Sequence, residues 1–99
     1  MDLNKAAGRA YRNAIARKKI TEGNNHSESV RTLMQEFEEF RAADEKLRSR
    51  HLPEQTEAVE ELTDILIGAL TELYRRGVDV EKVVHEKLKY NENRLKQKR

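Results

Sequence analysis

The chain has 99 residues, of which 38% are charged, 36% are hydrophobic and 5% are aromatic, and it contains no cysteine. A chain of this length builds one domain with a small core, and the lack of cysteine excludes disulfides and thiolate metal sites. No apolar run is typical of a signal peptide or a membrane span. The composition therefore predicts a single all-α domain over residues 1–99, soluble and cytoplasmic, with no membrane partner.

The formal net charge of +2 hides a strong segregation along the chain. Residues 1–20 carry a net charge of +5, residues 21–64 carry −7, and residues 65–99 carry +4. An acidic middle favours a bound cation, and basic flanks favour an anionic substrate or nucleic acid. The alternative that the basic ends only aid solubility stays open.

Hydrophobic periodicity predicts two helices in the first half of the chain. Leu3, Ala7 and Ala14 recur with helical spacing, which indicates an amphipathic helix over about 2–20 that ends before Gly23. A second helix is predicted over about 27–50, with Ser27 as its N-cap.

Two further helices are predicted in the second half. A tight connection ending at Pro53 leads into a helix over about 54–76, antiparallel to the second helix. Its apolar arc is wider than one protomer needs, which predicts burial against a second subunit, and Gly68 permits close helix approach. Asp79 caps a fourth helix over about 80–96, which runs into a basic C-terminal tail.

Two acidic pairs lie on the second and third helices. Glu36 and Glu39, and likewise Glu61 and Asp64, are three residues apart, so each pair presents its carboxylates on one helix face. If the helices pack antiparallel, four carboxylates converge beside the buried stripe. Oxygen ligands of this kind suit Mg²⁺ or Mn²⁺. The alternative is that the pairs belong to solvated faces of a highly charged chain.

A di-iron site is a competing hypothesis for the same helices. That architecture uses pairs of the form Glu-x-x-His on facing helices. None of the three histidines has an acidic residue three positions before it. The histidines are therefore interpreted as surface or loop residues.

The segment from about Ser27 to Arg94 resembles the MazG-like, all-α nucleoside triphosphate pyrophosphohydrolases, the superfamily that also contains dimeric dUTPases and dCTP pyrophosphatases. The strings QEFEEF and EELTDILIGAL match the Glu-x-x-Glu and Glu-x-x-Asp pairs of that superfamily. The string GVDVEKVVHEKLKYNENR is similar to its closing stretch, in which a Lys, an Asn and an Arg follow a short helix.

The resemblance implies an all-α, four-helix antiparallel bundle that assembles as a homodimer or homotetramer. It implies Mg²⁺-dependent cleavage of a nucleoside triphosphate into the monophosphate and pyrophosphate. The metal ligands and catalytic groups would be the four carboxylates, Glu36, Glu39, Glu61 and Asp64. The matching positions of the closing stretch imply that substrate phosphates are bound by Lys87, Asn91 and Arg94, which share one face of the fourth helix.

The chain departs from the resemblance at both ends. Many relatives continue past the closing Arg with a Pro and a His-Gly-Lys segment, whereas this chain ends NRLKQKR. The N-terminal helix lacks the tryptophan that some relatives use near the base, so base preference does not carry over. The alternative function is a non-catalytic helical module that binds nucleotide, or, as a weaker expectation, nucleic acid.

Overall fold

The computed structural model describes residues 2–97, with side chains through residue 95, so Lys98 and Arg99 of the expected tail lie outside the described residues. The helices are α1 (Leu3–Ala16), α2 (His26–Ala42), α3 (Glu57–Arg75) and α4 (Val80–Gln97). Over residues 2–97 the only strand-like pairing is an isolated bridge between Arg48 and Thr56. The prediction of an all-α fold with four helices is confirmed. Within this range, none of the helices combines the length and the hydropathy needed to cross a bilayer.

Helix α1 ends four residues before the predicted boundary because the chain enters the left-handed region at Lys18, whose φ is 59°. The Lys18 amide donates to the carbonyl of Ile15 and the Lys19 amide donates to the carbonyl of Ala14, both at 2.9 Å. This pair of bonds is a Schellman motif, which normally has glycine at the left-handed position. The chain therefore turns back immediately after α1.

The predicted boundary at residue 50 is wrong, because α2 ends at Ala42 and an irregular loop spans 43–56. The Asp44 carboxylate accepts hydrogen bonds from the amides of Lys46 (2.6 Å) and Leu47 (2.9 Å). The Ser49 hydroxyl accepts from the amide of Leu52 at 2.9 Å. Short polar side chains of this type compete with the helix for backbone amides.

Two predicted N-terminal boundaries are also corrected. Asn25, and not Ser27, caps α2 by accepting a hydrogen bond from the Glu28 amide at 3.0 Å. Pro53 lies in the loop and not in the first turn of a helix, because α3 begins after Thr56, whose hydroxyl accepts from the Val59 amide. The predicted cap of α4 is confirmed, since Asp79 accepts from the Lys82 amide at 3.2 Å.

Helix α3 is the central element, and α1, α2 and α4 each pack against it. The predicted antiparallel packing of α2 and α3 is confirmed, because Ser29 at the start of α2 hydrogen-bonds Glu72 near the end of α3. A Cβ placed on Gly68 would lie 3.1 Å from the Leu33 side chain. Gly68 therefore permits the close helix approach that the sequence predicts.

Helix α1 also runs antiparallel to α3, since Gly8 lies beside Tyr74 and Asn13 lies near Thr63. Helices α1 and α2 consequently point in the same direction, and within the described part of the chain no Cα atom of α1 lies within 8 Å of one in α2. The link 17–25 returns across the groove between them. The predicted bundle is therefore antiparallel for α2 and α3 but parallel for α1 and α2.

A small apolar core lies where α1, α3 and α4 meet. It centres on Ala7, Leu70 and Val80. At its edge, Asn4 donates to the Asp79 carboxylate at 3.0 Å and accepts from the Val80 amide at 2.7 Å. These bonds fix the first turns of α1 and α4 together.

Arg75 holds the returning link in place. Its guanidinium, 0% exposed, pairs with Glu28 at 2.8 Å and with Glu72 at 3.2 Å. It also donates to the carbonyls of Gly23 (2.8 Å) and Thr21 (3.2 Å). Charge-assisted hydrogen bonds of this kind are strong when both partners are buried, so this cluster fixes the link against the ends of α2 and α3.

Candidate functional site

Three carboxylates from α2 and α3 meet at one point of the groove. Glu36, Glu39 and Glu61 each place a carboxylate oxygen so that the three atoms lie within 4.8 Å of one another. Glu39 lies three residues before the end of α2, and Glu61 lies four residues after the start of α3. The long loop 43–56 therefore places the two acidic pairs at the same height along the axes of α2 and α3. A tight turn at Pro53 would have left the two pairs at different heights.

Asp64 lies one turn further along α3 and faces the same groove, where it lines a cavity together with Glu36. It is outside the group of three mutually close oxygens. Burial raises the pKa of the Asp64 carboxyl, and the nearby Glu36 raises it further. The structure thus brings all four predicted carboxylates to one groove, with three of them in direct proximity.

Glu61 has the least satisfied carboxylate of the cluster. Its Oε2 atom is buried and has no hydrogen-bond partner among the described residues. Burial raises the pKa of Glu61, and the neighbouring Asp64 and Glu39 carboxylates raise it further. A buried carboxylate without a partner is costly. A hard divalent cation is the group that these oxygen donors fit, since it would neutralise the cluster and satisfy the orphaned atom.

Glu60 has a different environment although it is adjacent in sequence. Its carboxylate accepts a hydrogen bond from the Ser49 hydroxyl and lies 2.8 Å from Nδ1 of His51. These bonds lower the pKa of Glu60. Glu60 therefore anchors the loop 43–56 and does not belong to the cluster.

Cavities open on both sides of the cluster. A cavity of about 140 Å³ lies between α1 and α2 above α3, and Glu36 and Asp64 are part of its wall. A second cavity, of about 380 Å³, lies against the loop 43–56, and Glu39 and Glu61 are part of its wall. The carboxylates therefore lie between two cavities.

Two basic residues of the link 17–25 line the smaller cavity, and sequence reasoning missed them. The Lys19 ammonium forms an ion pair with Oε1 of Glu36, and Arg17 lines the same cavity. Both cations lower the pKa of Asp64, against the larger opposing effect of burial. The positive charge of residues 1–20 was a signal for such groups, but a helix predicted to run to residue 20 concealed the turn that directs them here.

The structure does not bring Lys87, Asn91 and Arg94 to the carboxylates of the same protomer. The three residues are exposed on α4, and α4 packs on α1 and α3 but not on α2 within the described residues. Lys87 and Arg94 instead flank the ring of Tyr90, at 4.7 Å and 5.9 Å from its centroid. Their role in substrate binding stays a prediction.

The fold and the site together define an all-α domain with a carboxylate cluster suited to a divalent cation. Comparison of the chain with protein-family models, with curated proteins and with solved structures gives no match. The functional conclusion therefore depends on the geometry of the site and on the motifs in the sequence.

Proposed function

We propose that this protein is a nucleoside triphosphate pyrophosphohydrolase that requires Mg²⁺ or Mn²⁺ and releases a nucleoside monophosphate and pyrophosphate. The observation that carries the proposal is that one carboxylate oxygen from each of Glu36, Glu39 and Glu61 lies within 4.8 Å of the others. Among the described residues, Glu61 also has a buried oxygen with no hydrogen-bond partner. The resemblance of the two acidic pairs to those of the MazG-like enzymes supports the same reaction.

In this proposal the four carboxylates have two tasks. Glu36, Glu39, Glu61 and Asp64 hold the cation, and either Glu36 or Glu39 also orients the attacking water and accepts its proton. When bound, the divalent cation supplies charge neutralisation at the phosphates and a lowered pKa for the water. The base and sugar that the site prefers are not specified by these residues.

Nucleotide binding without cleavage is the second candidate function. The observation in its favour is that α4, which carries Lys87, Asn91 and Arg94, does not contact α2 in the same protomer. A site without those phosphate contacts could retain binding and lose turnover. Recovery of intact nucleotide after prolonged incubation with Mg²⁺ would favour this function.

To test this function, the protein is incubated with Mg²⁺ and each ribonucleoside or deoxyribonucleoside triphosphate. The monophosphate and pyrophosphate released are then quantified. We expect Glu61→Gln to lower kcat at least roughly 100-fold, because it removes a metal ligand. The matched control is Glu38→Gln, since Glu38 is exposed on α2 and pairs with Arg41 at 2.8 Å. Full turnover by Glu61→Gln, or equal losses in both variants, would refute the mechanism.

We also propose that two copies pack through the face of α2 and α3 opposite α1, as a homodimer or as half of a homotetramer. Large apolar side chains lie exposed on that side of the two helices: Val30, Met34, Phe37 and Leu62. Met34 is 63% exposed and Phe37 is 49% exposed. Exposed large apolar side chains that share a face are typical of a protein interface, and the same face on two protomers can pair about a two-fold axis.

Light scattering tests this assembly. We expect the unaltered protein to have at least twice the mass of one chain at micromolar concentration, and Phe37→Glu to shift it toward the monomer. Glu38→Gln on the neighbouring polar face is the control. A monomeric unaltered protein would contradict the proposed interface.

A further inference from the structure

The α1 to α2 link places an internal cation on the proposed metal centre. Lys19 pairs with Oε1 of Glu36, whose side chain is only 6% exposed. The Lys19 side chain itself is 41% exposed, so its ammonium reaches into the groove from the solvent side. A buried carboxylate is thus neutralised by a partly exposed side chain.

The backbone of the link fixes where Lys19 begins. The Schellman motif turns the chain at Lys18. Ile20, directly after Lys19, is buried, with 6% of its surface exposed. The backbone of Lys19 is held between these two anchors, while its four-carbon side chain keeps rotational freedom. Lys19 can therefore leave Glu36 without any change in the fold.

A divalent cation and Lys19 would compete for the same carboxylate. A metal ligand must offer its lone pairs to the metal, and Oε1 of Glu36 accepts from Lys19. Lys19 and Arg17 both line the 140 Å³ cavity, so an ammonium released from Glu36 would still lie at the wall of that cavity. Two cations would then face any anion bound to a metal at the cluster.

We propose that Lys19 is a tethered counter-ion that occupies Glu36 until a divalent cation displaces it and then binds a phosphate of the nucleotide. This inference rests on the proposed function. It makes two predictions of opposite sign for one substitution: removal of the ammonium strengthens binding of the metal alone and weakens binding of the metal–nucleotide complex.

The first measurement is Mn²⁺ affinity without nucleotide, by electron paramagnetic resonance, for the unaltered protein, Lys19→Met and Lys18→Met. We expect Lys19→Met to bind Mn²⁺ roughly five-fold more tightly, in line with the loss of one partly exposed ion pair. Lys18→Met removes the same charge from the adjacent residue and should change the affinity less than about two-fold. Unchanged or weaker Mn²⁺ binding by Lys19→Met would overturn the inference.

The second measurement is the affinity for a non-hydrolysable nucleoside triphosphate at saturating Mg²⁺. We expect Lys19→Met to weaken it roughly ten-fold, and Lys19→Arg to retain most of it, because the positive charge is kept. A parallel loss of Mn²⁺ and nucleotide binding would show that Lys19 only positions Glu36, which overturns the inference.

A spectroscopic readout follows Lys19 directly. With Lys side chains labelled with ¹⁵N, addition of Mg²⁺ should move the Lys19 ammonium resonance and leave that of Lys18 in place. Mn²⁺ binding with the expected sign but no nucleotide cleavage would refute the proposed hydrolase and support the displacement of Lys19. An unaltered protein that binds no Mn²⁺ would overturn both proposals.

Discussion

Glu61 is a residue whose environment lowers the stability of the metal-free protein and favours the binding of a ligand. Its buried Oε2 has no hydrogen-bond partner in the described part of the chain, and its neighbours Glu39 and Asp64 are also acidic. In the absence of a cation the folded state therefore carries both a desolvation penalty and like-charge repulsion. Sites of this kind are commonly destabilising until their ligand binds.

We expect Glu61→Gln to stabilise the metal-free protein by about 1 kcal/mol at neutral pH, because an uncharged amide ends the repulsion. Thermal unfolding in EDTA measures this effect. On addition of Mg²⁺ the melting temperature of the unaltered protein should rise, because a cation that binds only the folded state stabilises it, while that of Glu61→Gln should barely move. A destabilised variant in EDTA would show that Glu61 has a structural partner instead.

Lys18 is a second residue whose conformation is unfavourable in isolation. Its φ of 59° is a region that glycine adopts easily and that other residues occupy at an energetic cost. We expect Lys18→Gly to stabilise the protein by about 0.5–1 kcal/mol, as measured by chemical denaturation. Lys18→Ala removes the charge but keeps the Cβ, so it should give no such gain; equal gains in both variants would assign the effect to charge.

At the scale of the elements, the cluster around Arg75 determines the path of the link 17–25. Glu28 receives a hydrogen bond from Arg75 and another from the Thr21 amide, and these bonds lower the pKa of Glu28 below its ordinary value of 4.5. A lowered carboxyl pKa adds stability that is present above the ordinary pKa and is lost as the pH falls through the lowered value.

We therefore expect Glu28→Gln to lower the melting temperature by several degrees at pH 7, and the difference from the unaltered protein to shrink as the pH falls to about 3. Glu22→Gln, an exposed carboxylate of the same link, should show little difference at either pH. A Glu28→Gln difference that does not vary with pH would mean that the loss is one of packing and not of ionisation.

The four helices show which parts of a fold a hydrophobic pattern determines. Apolar periodicity predicted the existence, the order and the interior of all four helices, because it reports which face each helix buries. It failed at the C-terminal ends of α1 and α2. After α1, Lys18 occupies a left-handed position that glycine usually occupies, and after α2 the Asp44 carboxylate accepts hydrogen bonds from backbone amides. Boundaries of this kind depend on local hydrogen bonds that hydrophobic patterns do not report.

The candidate site was predictable for a related reason and only in part. The i, i+3 spacing fixes which carboxylates share a face, so Glu36, Glu39, Glu61 and Asp64 could be paired without a structure. Lys19 could not be placed, since its approach to Glu36 requires the left-handed turn and the parallel arrangement of α1 and α2. Hydrophobic periodicity does not predict the contacts that irregular segments make.

At the scale of the whole molecule, the 18-residue helix α4 is covered by the rest of the described chain only near its start. Residues 85–95 are all exposed, and Leu88 and Leu95 are 57% and 73% exposed. Helical stability in proteins comes mainly from packing of an apolar face. In an assembly of protomers this half of α4 has a surface to pack on, and Lys87, Asn91 and Arg94 lie on it.

We predict that in the proposed dimer Arg94 serves the carboxylate cluster of the other protomer. Glu61→Gln and Arg94→Ala should each be inactive alone, because the first removes a metal ligand and the second a phosphate contact. Mixed in equal amounts after denaturation and refolding, they should recover roughly a quarter of the unaltered activity, because half of the dimers then contain one intact site out of two.

The control mixes Glu61→Gln with Glu39→Gln, two changes within one carboxylate cluster. No mixed dimer of that pair contains a site with both ligands, so the activity should stay at background. If the mixture with Arg94→Ala also stays at background while refolding of the unaltered protein restores activity, then α4 does not act across the interface. In that case basic groups of the same protomer would bind the phosphates: Arg17 and Lys19, which line the cavity beside Asp64, and Arg50, which lines the cavity beside Glu61.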